Sequence, residues 1–277
     1  MTELSVHHLS GLDEESFERI SRILYQHSGI ALSAGKHELV KSRLGKRIRA
    51  TGIGGFEEYL AYIEQDRSGR ELRELIDALT TNKTSFFRES EHFDFLRQSV
   101  LPKLRESSGK KRIWSAGCST GEEPYTIAIV LREEIPNIDL MDLKILATDI
   151  SDKVLACARK AEYAADKLDG LPPEILKKHF KPVGNGERMI WRVNDSVRKL
   201  VSLAKLNLMG PWGMKGPFQI IFCRNVMIYF DRPTQQRLVQ RFWDMLERGG
   251  YLFVGHSESL TSTNKNFTYV KPAVYVK

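Results

Sequence analysis

The stretch Ile113-Trp114-Ser115-Ala116-Gly117-Cys118-Ser119-Thr120-Gly121-Glu122-Glu123-Pro124-Tyr125 holds the residues best spaced for chemistry. Residues 113–116 predict a short apolar strand, 117–121 a turn of small residues, and 122–125 a helix opening on two carboxylates. Small residues let a backbone approach a ligand closely. An acid beyond a first strand suits ribose hydroxyls. No lysine of a phosphate-binding loop follows the second glycine. An uncrowded turn with acidic neighbours fits a nucleoside carrying a positive centre better than a polyphosphate, and S-adenosylmethionine is a ligand of that kind.

A second acid, Asp149, follows the apolar run 143–148. There it can accept hydrogen bonds from both ribose hydroxyls of a nucleoside, or it can serve as a helix cap. Arg224-Asn225-Val226-Met227-Ile228-Tyr229-Phe230 follows another apolar run, where polar residues face the crevice of an open α/β sheet. Tyr229 reads equally as a core aromatic. Thr80 to Glu89 is too polar at its start for core and too aromatic at Phe86-Phe87 for a plain linker. Arg88 beside those rings is either a solvated surface group or a partly desolvated one aimed at a carboxylate. His256-Ser257-Glu258 invites a triad reading, but no nucleophile elbow accompanies it, and a turn cap is the simpler expectation. The seven histidines show no paired metal-ligand spacing, and Cys118, Cys157 and Cys223 are odd in number and far apart. No metal and no disulfide framework are expected.

The elements that must position these residues fall into two patterns. Residues 1–80 carry helical spacing only, with apolar stripes Phe17/Ile20/Ile23/Leu24, Val40/Leu44/Ile48, Phe56/Tyr59/Leu60/Ile63 and Leu72/Leu75/Ile76/Leu79. They predict a small helical N-terminal domain. Residues 81–112 predict a linker with one helix from Glu89 to Leu96 or beyond. From Ile113 strands alternate with helices: strands over 113–116, 143–148, 201–206, 218–223 and 251–255, helices over 124–134, 154–160 and 234–246. That alternation predicts an α/β fold with a mainly parallel, Rossmann-like sheet covered on both faces over 113–277. Residues 267–270 and 273–276 add an edge hairpin, for seven strands. About 165–200 does not fit the alternation. Its Gly184-Asn185-Gly186 beside Met189-Ile190-Trp191-Arg192-Val193 predicts a small inserted antiparallel β-subdomain.

Composition excludes some classes. The longest apolar runs fall far short of the roughly 20 residues of a membrane span. The polar start Met1-Thr2-Glu3-Leu4-Ser5-Val6-His7-His8 lacks a signal-peptide pattern, so a cytoplasmic protein is expected. The net charge is +7, yet residues 1–80 hold 11 Lys/Arg against 13 Asp/Glu. Within that slightly acidic part, Lys36, Lys41, Arg43, Lys46, Arg47 and Arg49 form a basic patch broken only by Glu38. A local patch of this kind suits an acidic partner surface. Lys46 and Arg49, opposite the Val40/Leu44/Ile48 stripe, should face solvent.

Taken in order, Leu79-Thr80-Thr81-Asn82, Thr84-Ser85-Phe86-Phe87-Arg88-Glu89, residues 114–125, Ala147-Thr148-Asp149-Ile150, Asn207-Leu208, Phe222 to Asp231 and Gly255-His256-Ser257-Glu258 resemble the chemotaxis receptor methyltransferases, the CheR family. The resemblance implies S-adenosylmethionine-dependent methylation of glutamate side chains on receptor signalling helices. It implies Asn82, Thr84, Arg88, Glu123, Asp149, Asn207, Leu208, Asn225 and Val226 at the cofactor, with Arg88 and Tyr229 as the catalytic pair nearest the methyl. It implies Arg43, Lys46, Arg47 and Arg49 facing the acidic receptor helices, a receptor C-terminal pentapeptide docked on the β-subdomain in some members, and a monomer. A methyltransferase acting on RNA or a small molecule, and a non-catalytic adaptor with the same fold, are the alternatives. No stacking-aromatic module supports RNA. A dehydrogenase fits least, because Gly117-Cys118-Ser119-Thr120-Gly121 departs from Gly-x-Gly-x-x-Gly.

Overall fold

The computed structural model describes residues 11–184, 189–260 and 266–277. The polar start and the Asn185-Gly186 turn signal lie outside the described residues. The chain divides into two compact units. One holds residues up to Thr81 together with Tyr229–Asp231, and the other holds Asn82–Ile228 and Arg232–Lys277.

Among the described residues four α-helices build the first unit: α1 (Glu14–Ser28), α2 (His37–Thr51), α3 (Phe56–Gln65) and α4 (Arg70–Leu79). Asp13 starts α1 by accepting the Ser16 N–H at 2.8 Å, with Glu14 and Glu15 favourably placed in the first turn. The expected stripes supply the core: Phe17, Ile20 and Leu24, then Val40, Leu44 and Ile48, then Tyr59 and Leu60, then Leu75 and Leu79 are all buried. One acid joins them. Glu71 is 3% exposed and takes the Arg47 guanidinium through two bonds, at 2.7 and 2.6 Å, plus the Tyr59 hydroxyl at 2.7 Å. The hydrogen bonds from Arg47 hold the Glu71 carboxyl below its ordinary range despite burial. Residues 229–231 join this unit through the Ala31 N–H, which donates to the Tyr229 carbonyl at 2.9 Å.

The second unit opens with α5 (Glu91–Phe95), a π turn over Leu96–Val100, and α6 (Leu101–Glu106). Then come β1 (Lys111–Ala116), α7 (Glu122–Glu134), β2 (Leu143–Asp149), α8 (Asp152–Lys160), β3 (Glu162–Ala164), α9 (Pro173–His179), β4 (Phe180–Val183), β5 (Ile190–Val193) and α10 (Asp195–Arg198). β6 (Val201–Lys205), β7 (Phe218–Cys223), α11 (Arg232–Met245), β8 (Leu246–Val254), β9 (Thr268–Lys271) and β10 (Val274–Val276) complete it. Seven strands form one sheet in the order β6-β2-β1-β7-β8-β10-β9. β1 pairs in parallel with β2 on one side and β7 on the other. β10 alone runs opposite to the other six strands, pairing antiparallel with β8 and β9. The remaining three strands form a separate antiparallel sheet, β3-β5-β4.

Near-continuous apolar strands explain the two-sided burial: Ile113, Ile145, Ile220, Phe222 and Phe253 are all 0% exposed. α7 packs with Ile127, Val130 and Leu131 in that core. Another aromatic cluster surrounds Trp114, whose ring lies 4.8 Å from Trp212 and 5.3 Å from Phe242 of α11. Several boundaries differ from the sequence expectation, two of them with a clear cause. β8 begins at Leu246, where the helix was expected to end, and its register against β7 shifts between Phe218 and Ile220, so Leu246 and Tyr251 both find partners. The antiparallel sheet begins at Glu162, ahead of 165, because β3 has only three residues and no readable period.

Candidate functional site

The strand order reverses at β1, which sets the switch point, where open α/β sheets have their ligand crevice, beyond the carboxyl ends of β1, β2 and β7. The small-residue turn lies there. Gly117 and Cys118 both donate backbone N–H groups to the Thr148 carbonyl, at 2.8 and 2.9 Å, which bends the chain sharply after β1. Gly117 sits at φ +84°, and a Cβ on it would meet Val226 Cγ2 at 2.5 Å. The turn therefore lies directly against the loop that leaves β7, and a side chain at 117 would separate them. Ser119 also adopts a left-handed φ of 50°.

Asp149 ends β2 and is 8% exposed. Its Oδ2 accepts the Ser119 N–H at 2.9 Å and its Oδ1 the Ser151 N–H at 3.0 Å. Asp149 thus braces the turn beside the glycine, while the cap of α8 is Ser151, whose side chain accepts the Val154 N–H. The Leu206 N–H donates to the Asp149 carbonyl at 2.9 Å, which brings Asn207 and Leu208 to the same end of the sheet. The Asn207 side chain accepts the Met209 N–H at 2.9 Å, so these residues form a tight loop after β6.

Residues 82–90 run along the same sheet end. The Ser119 hydroxyl donates to the Asn82 carbonyl at 2.9 Å, and the Phe87 N–H donates to Thr126 Oγ1 at 3.2 Å. Thr84 is half-buried on this segment. Phe87 and Glu89 hold φ of 52° and 55° on either side of Arg88. With Ser119 and Asn225 (φ 57°), four left-handed non-glycine residues gather around the crevice. Strained backbone of this kind concentrates at functional sites. The Arg88 guanidinium donates to the Lys83 carbonyl at 2.9 Å and stays partly exposed, so it bridges the segment that carries it.

Sequence reasoning set Arg224 at the crevice but missed what it holds. Arg224, with its side chain 2% exposed, donates to Glu123 Oε2 at 3.2 Å, to Glu89 Oε2 at 3.0 Å and to the Arg88 carbonyl. Its guanidinium carbon lies 5.5 Å from the Phe93 ring centre. Glu123 is thus tied inside the protein, taking the Ser115 hydroxyl at 2.7 Å on its other oxygen. Burial pushes the Glu123 carboxyl up against the pull of Arg224. Burial also pushes Glu89 up, but the Arg224 charge and the Asn225 side-chain amide, 3.1 Å away, bring it below its ordinary value. Glu258 is a second anchor. Its carboxylate accepts the backbone N–H groups of Gly255 at 2.6 Å, Asn225 at 2.9 Å and Ile228 at 3.1 Å, stitching the β7 loop to the β8 loop. The expected turn cap is present, and it reaches across strands.

Glu89, His92 and His256 gather near this knot. Their candidate ligand atoms spread over as much as 4.8 Å, wider than the roughly 3.4 Å between ligands that bonds of about 2.05 Å at tetrahedral angles would give. Glu89 already holds Arg224, Asn225 and the His256 N–H. A guanidinium against the carboxylate disfavours a cation there. His92 is fully buried, and burial followed by the Arg224 charge pushes its pKa down to about 3.

The other expected residues lie elsewhere. Tyr229 groups with the helical unit, directly after Ile228 of the β7 loop. Within that unit Arg43 donates to the Leu79 and Thr80 carbonyls at 3.1 and 2.9 Å, tying down the end of α4, and Arg47 holds Glu71. Lys46 and Arg49 are exposed on α2.

The residues at the crevice fit S-adenosylmethionine. A backbone turn without a Cβ lies beside a buried carboxylate, the neighbouring charged side chains Glu122 and Glu123 are acids, and no phosphate-binding lysine belongs to the turn. Comparison with known proteins agrees. Residues 82–276 match the family description "CheR methyltransferase, SAM binding domain", and residues 15–80 match "CheR methyltransferase, all-alpha domain". The chain is 42% identical over 275 residues to the chemotaxis protein methyltransferase of Borreliella burgdorferi, covering 96% of this chain and 95% of that one. It is 40% identical over 265 residues to the chemotaxis protein methyltransferase of Escherichia coli, covering 95% and 91%. A probable chemotaxis protein methyltransferase of Rhizobium etli is 44% identical over 247 residues, covering 88% and 92%. With both of its parts matched and its sheet order, glycine turn and crevice acids in place, the chain belongs to the CheR methyltransferase family.

Proposed function

We propose that this protein methylates glutamate side chains of chemotaxis receptors, giving glutamyl methyl esters, and works in the cytoplasm. The observation that carries the reading is the buried Asp149 carboxylate beside the Gly117 turn, in a chain whose relatives are named chemotaxis protein methyltransferases. S-adenosylmethionine, when bound, supplies an electrophilic methyl group. Asp149 offers acceptors to the ribose hydroxyls, and Asn82, Asn207, Leu208, Asn225 and Val226 border the same cofactor. A glutamate acceptor has an ordinary pKa of about 4.3, so it is already ionised at neutral pH and needs no general base. The protein's task is then to align the carboxylate and strip it of water. Arg88 and Tyr229 are the residues proposed to do this, Arg88 by a charge-assisted bond to a carboxylate.

Incubation with methyl-labelled cofactor and receptor-bearing membranes tests the proposal. Label on receptor protein that alkali releases is expected, and Arg88→Ala should lower its rate more than about tenfold, roughly 1.4 kcal/mol of barrier. Alkali-stable label on RNA or on a small molecule would overturn the glutamate reading, and unchanged turnover would remove Arg88 from the site.

Acidic receptor helices are the proposed partner of the exposed Lys46 and Arg49, with the partly exposed Arg43 and Arg47 beside them. Charge reversal at Lys46 and Arg49 should slow receptor methylation severalfold at low salt and less at high salt, while affinity for S-adenosylhomocysteine holds. Equal methylation by the reversed variant would assign the patch another role. The antiparallel β3-β5-β4 sheet, with Met189 and Ile190 exposed, is the proposed seat of a receptor C-terminal pentapeptide.

A further inference from the structure

Arg241 of α11 reaches across to the loop after β6. Its Nη1 donates to the Leu208 carbonyl at 2.6 Å and its Nη2 to the Gly210 carbonyl at 2.7 Å. Its guanidinium lies 3.7 Å from the Trp212 ring centre. The Trp212 indole N–H donates to the same Leu208 carbonyl at 3.3 Å, and its ring packs on Trp114 and Phe242. The turn itself closes when the Gly210 N–H donates to the Asn207 carbonyl at 3.0 Å. One cation therefore holds the second and fourth residues of a four-residue turn and is itself held by an indole face, an arrangement that suits a planar guanidinium and that lysine cannot reproduce.

The turn it fixes carries Asn207 and Leu208. β6 is the edge strand beyond β2, and the Leu206 N–H ties the turn to the Asp149 carbonyl. A nucleoside whose ribose meets the Asp149 carboxylate, with its sulfur side toward β1 and β7, directs its base toward β6. We infer that Arg241 is a positioning residue for the base end of the cofactor: it holds the 207–210 turn in the conformation that recognises adenine, without touching the reacting atoms. The inference rests on the S-adenosylmethionine reading of the crevice.

Arg241→Met removes both donors while keeping an unbranched apolar stem, and Arg241→Lys keeps the charge but loses the fork. Affinity for S-adenosylhomocysteine and for its hypoxanthine counterpart, S-inosylhomocysteine, is measured on the wild type and both variants, together with kcat and KM for S-adenosylmethionine. The expected result is a KM about tenfold higher in Arg241→Met with kcat within twofold, a smaller rise in Arg241→Lys, and a preference for adenine over hypoxanthine that shrinks severalfold. An unchanged base preference in Arg241→Met overturns the inference, as does equal binding of both compounds by the wild type. Loss of kcat and of both affinities in parallel also overturns it, because that pattern marks general damage to the fold. A wild type that binds neither compound defeats the cofactor reading itself.

Discussion

Arg224→Met is expected to lower the unfolding free energy by about 3–5 kcal/mol at neutral pH, the usual cost of leaving a buried charge without its partner. Here two partners are stranded. Glu89 and Glu123, with side chains only 14% and 13% exposed, both hold the guanidinium, and the Arg88 carbonyl loses a donor at the same time. Methionine fills similar volume against Phe93, so the loss is electrostatic and not a cavity. The deficit has a pH signature. Without Arg224, desolvation raises both carboxyls in the folded state above their unfolded values. A group raised on folding stabilises below its unfolded pKa and loses that contribution as pH rises through its folded pKa. The difference between variant and wild type should therefore shrink as pH falls from 7 toward 5. Urea denaturation at several pH values measures this, and a pH-independent deficit under about 1 kcal/mol would show that the knot contributes little.

Gly117→Ala is expected to weaken S-adenosylhomocysteine binding by at least about 100-fold, roughly 2.7 kcal/mol, while the protein remains folded. Two costs combine. The left-handed backbone at φ +84° penalises any Cβ by about 1–2 kcal/mol. The new atom would also lie 2.5 Å from Val226 Cγ2, and the stiff, β-branched valine cannot yield without moving the β7 loop. That loop is pinned by Glu258 through the Asn225 and Ile228 N–H groups, so the β1 turn is the part that shifts. The Ser119 N–H would then leave Asp149, and the ribose acceptor loses its orientation. A thermal midpoint within several degrees of wild type, with binding lost, is the expected pair of results. Retained affinity would mean that the turn does not border the cofactor.

The sequence made the fold legible where patterns are local. Apolar runs at 113–116, 143–148 and 218–223 lie inside observed strands because buried parallel strands need little else, and the four helical stripes face inward because their spacing leaves one apolar side. The turn and Asp149 were readable from residue size and the order strand, small residues, acid. The bonds of Arg224 were not. Its place after an apolar run puts it at the crevice, but nothing local names its partners Glu89 and Glu123, which lie 135 and 101 positions away. Arg47 shows the same limit in the helical unit, since its charge is visible but its acceptor Glu71, 24 residues on, is not. Glu258 was legible as a cap, yet nothing local says that it reaches Asn225, 33 positions earlier. Arg241 lies at the margin of the buried face of α11, three residues after Leu238, and nothing local names its acceptors, the Leu208 and Gly210 carbonyls.

Calorimetric titration of S-adenosylhomocysteine into the purified wild-type protein tests the central claim most directly. Saturable binding of one molecule per chain, abolished by Gly117→Ala in the same buffer, is the result expected from a crevice formed by the ends of β1, β2, β6 and β7. No measurable heat with the wild type at millimolar ligand, or identical isotherms for wild type and variant, would contradict it.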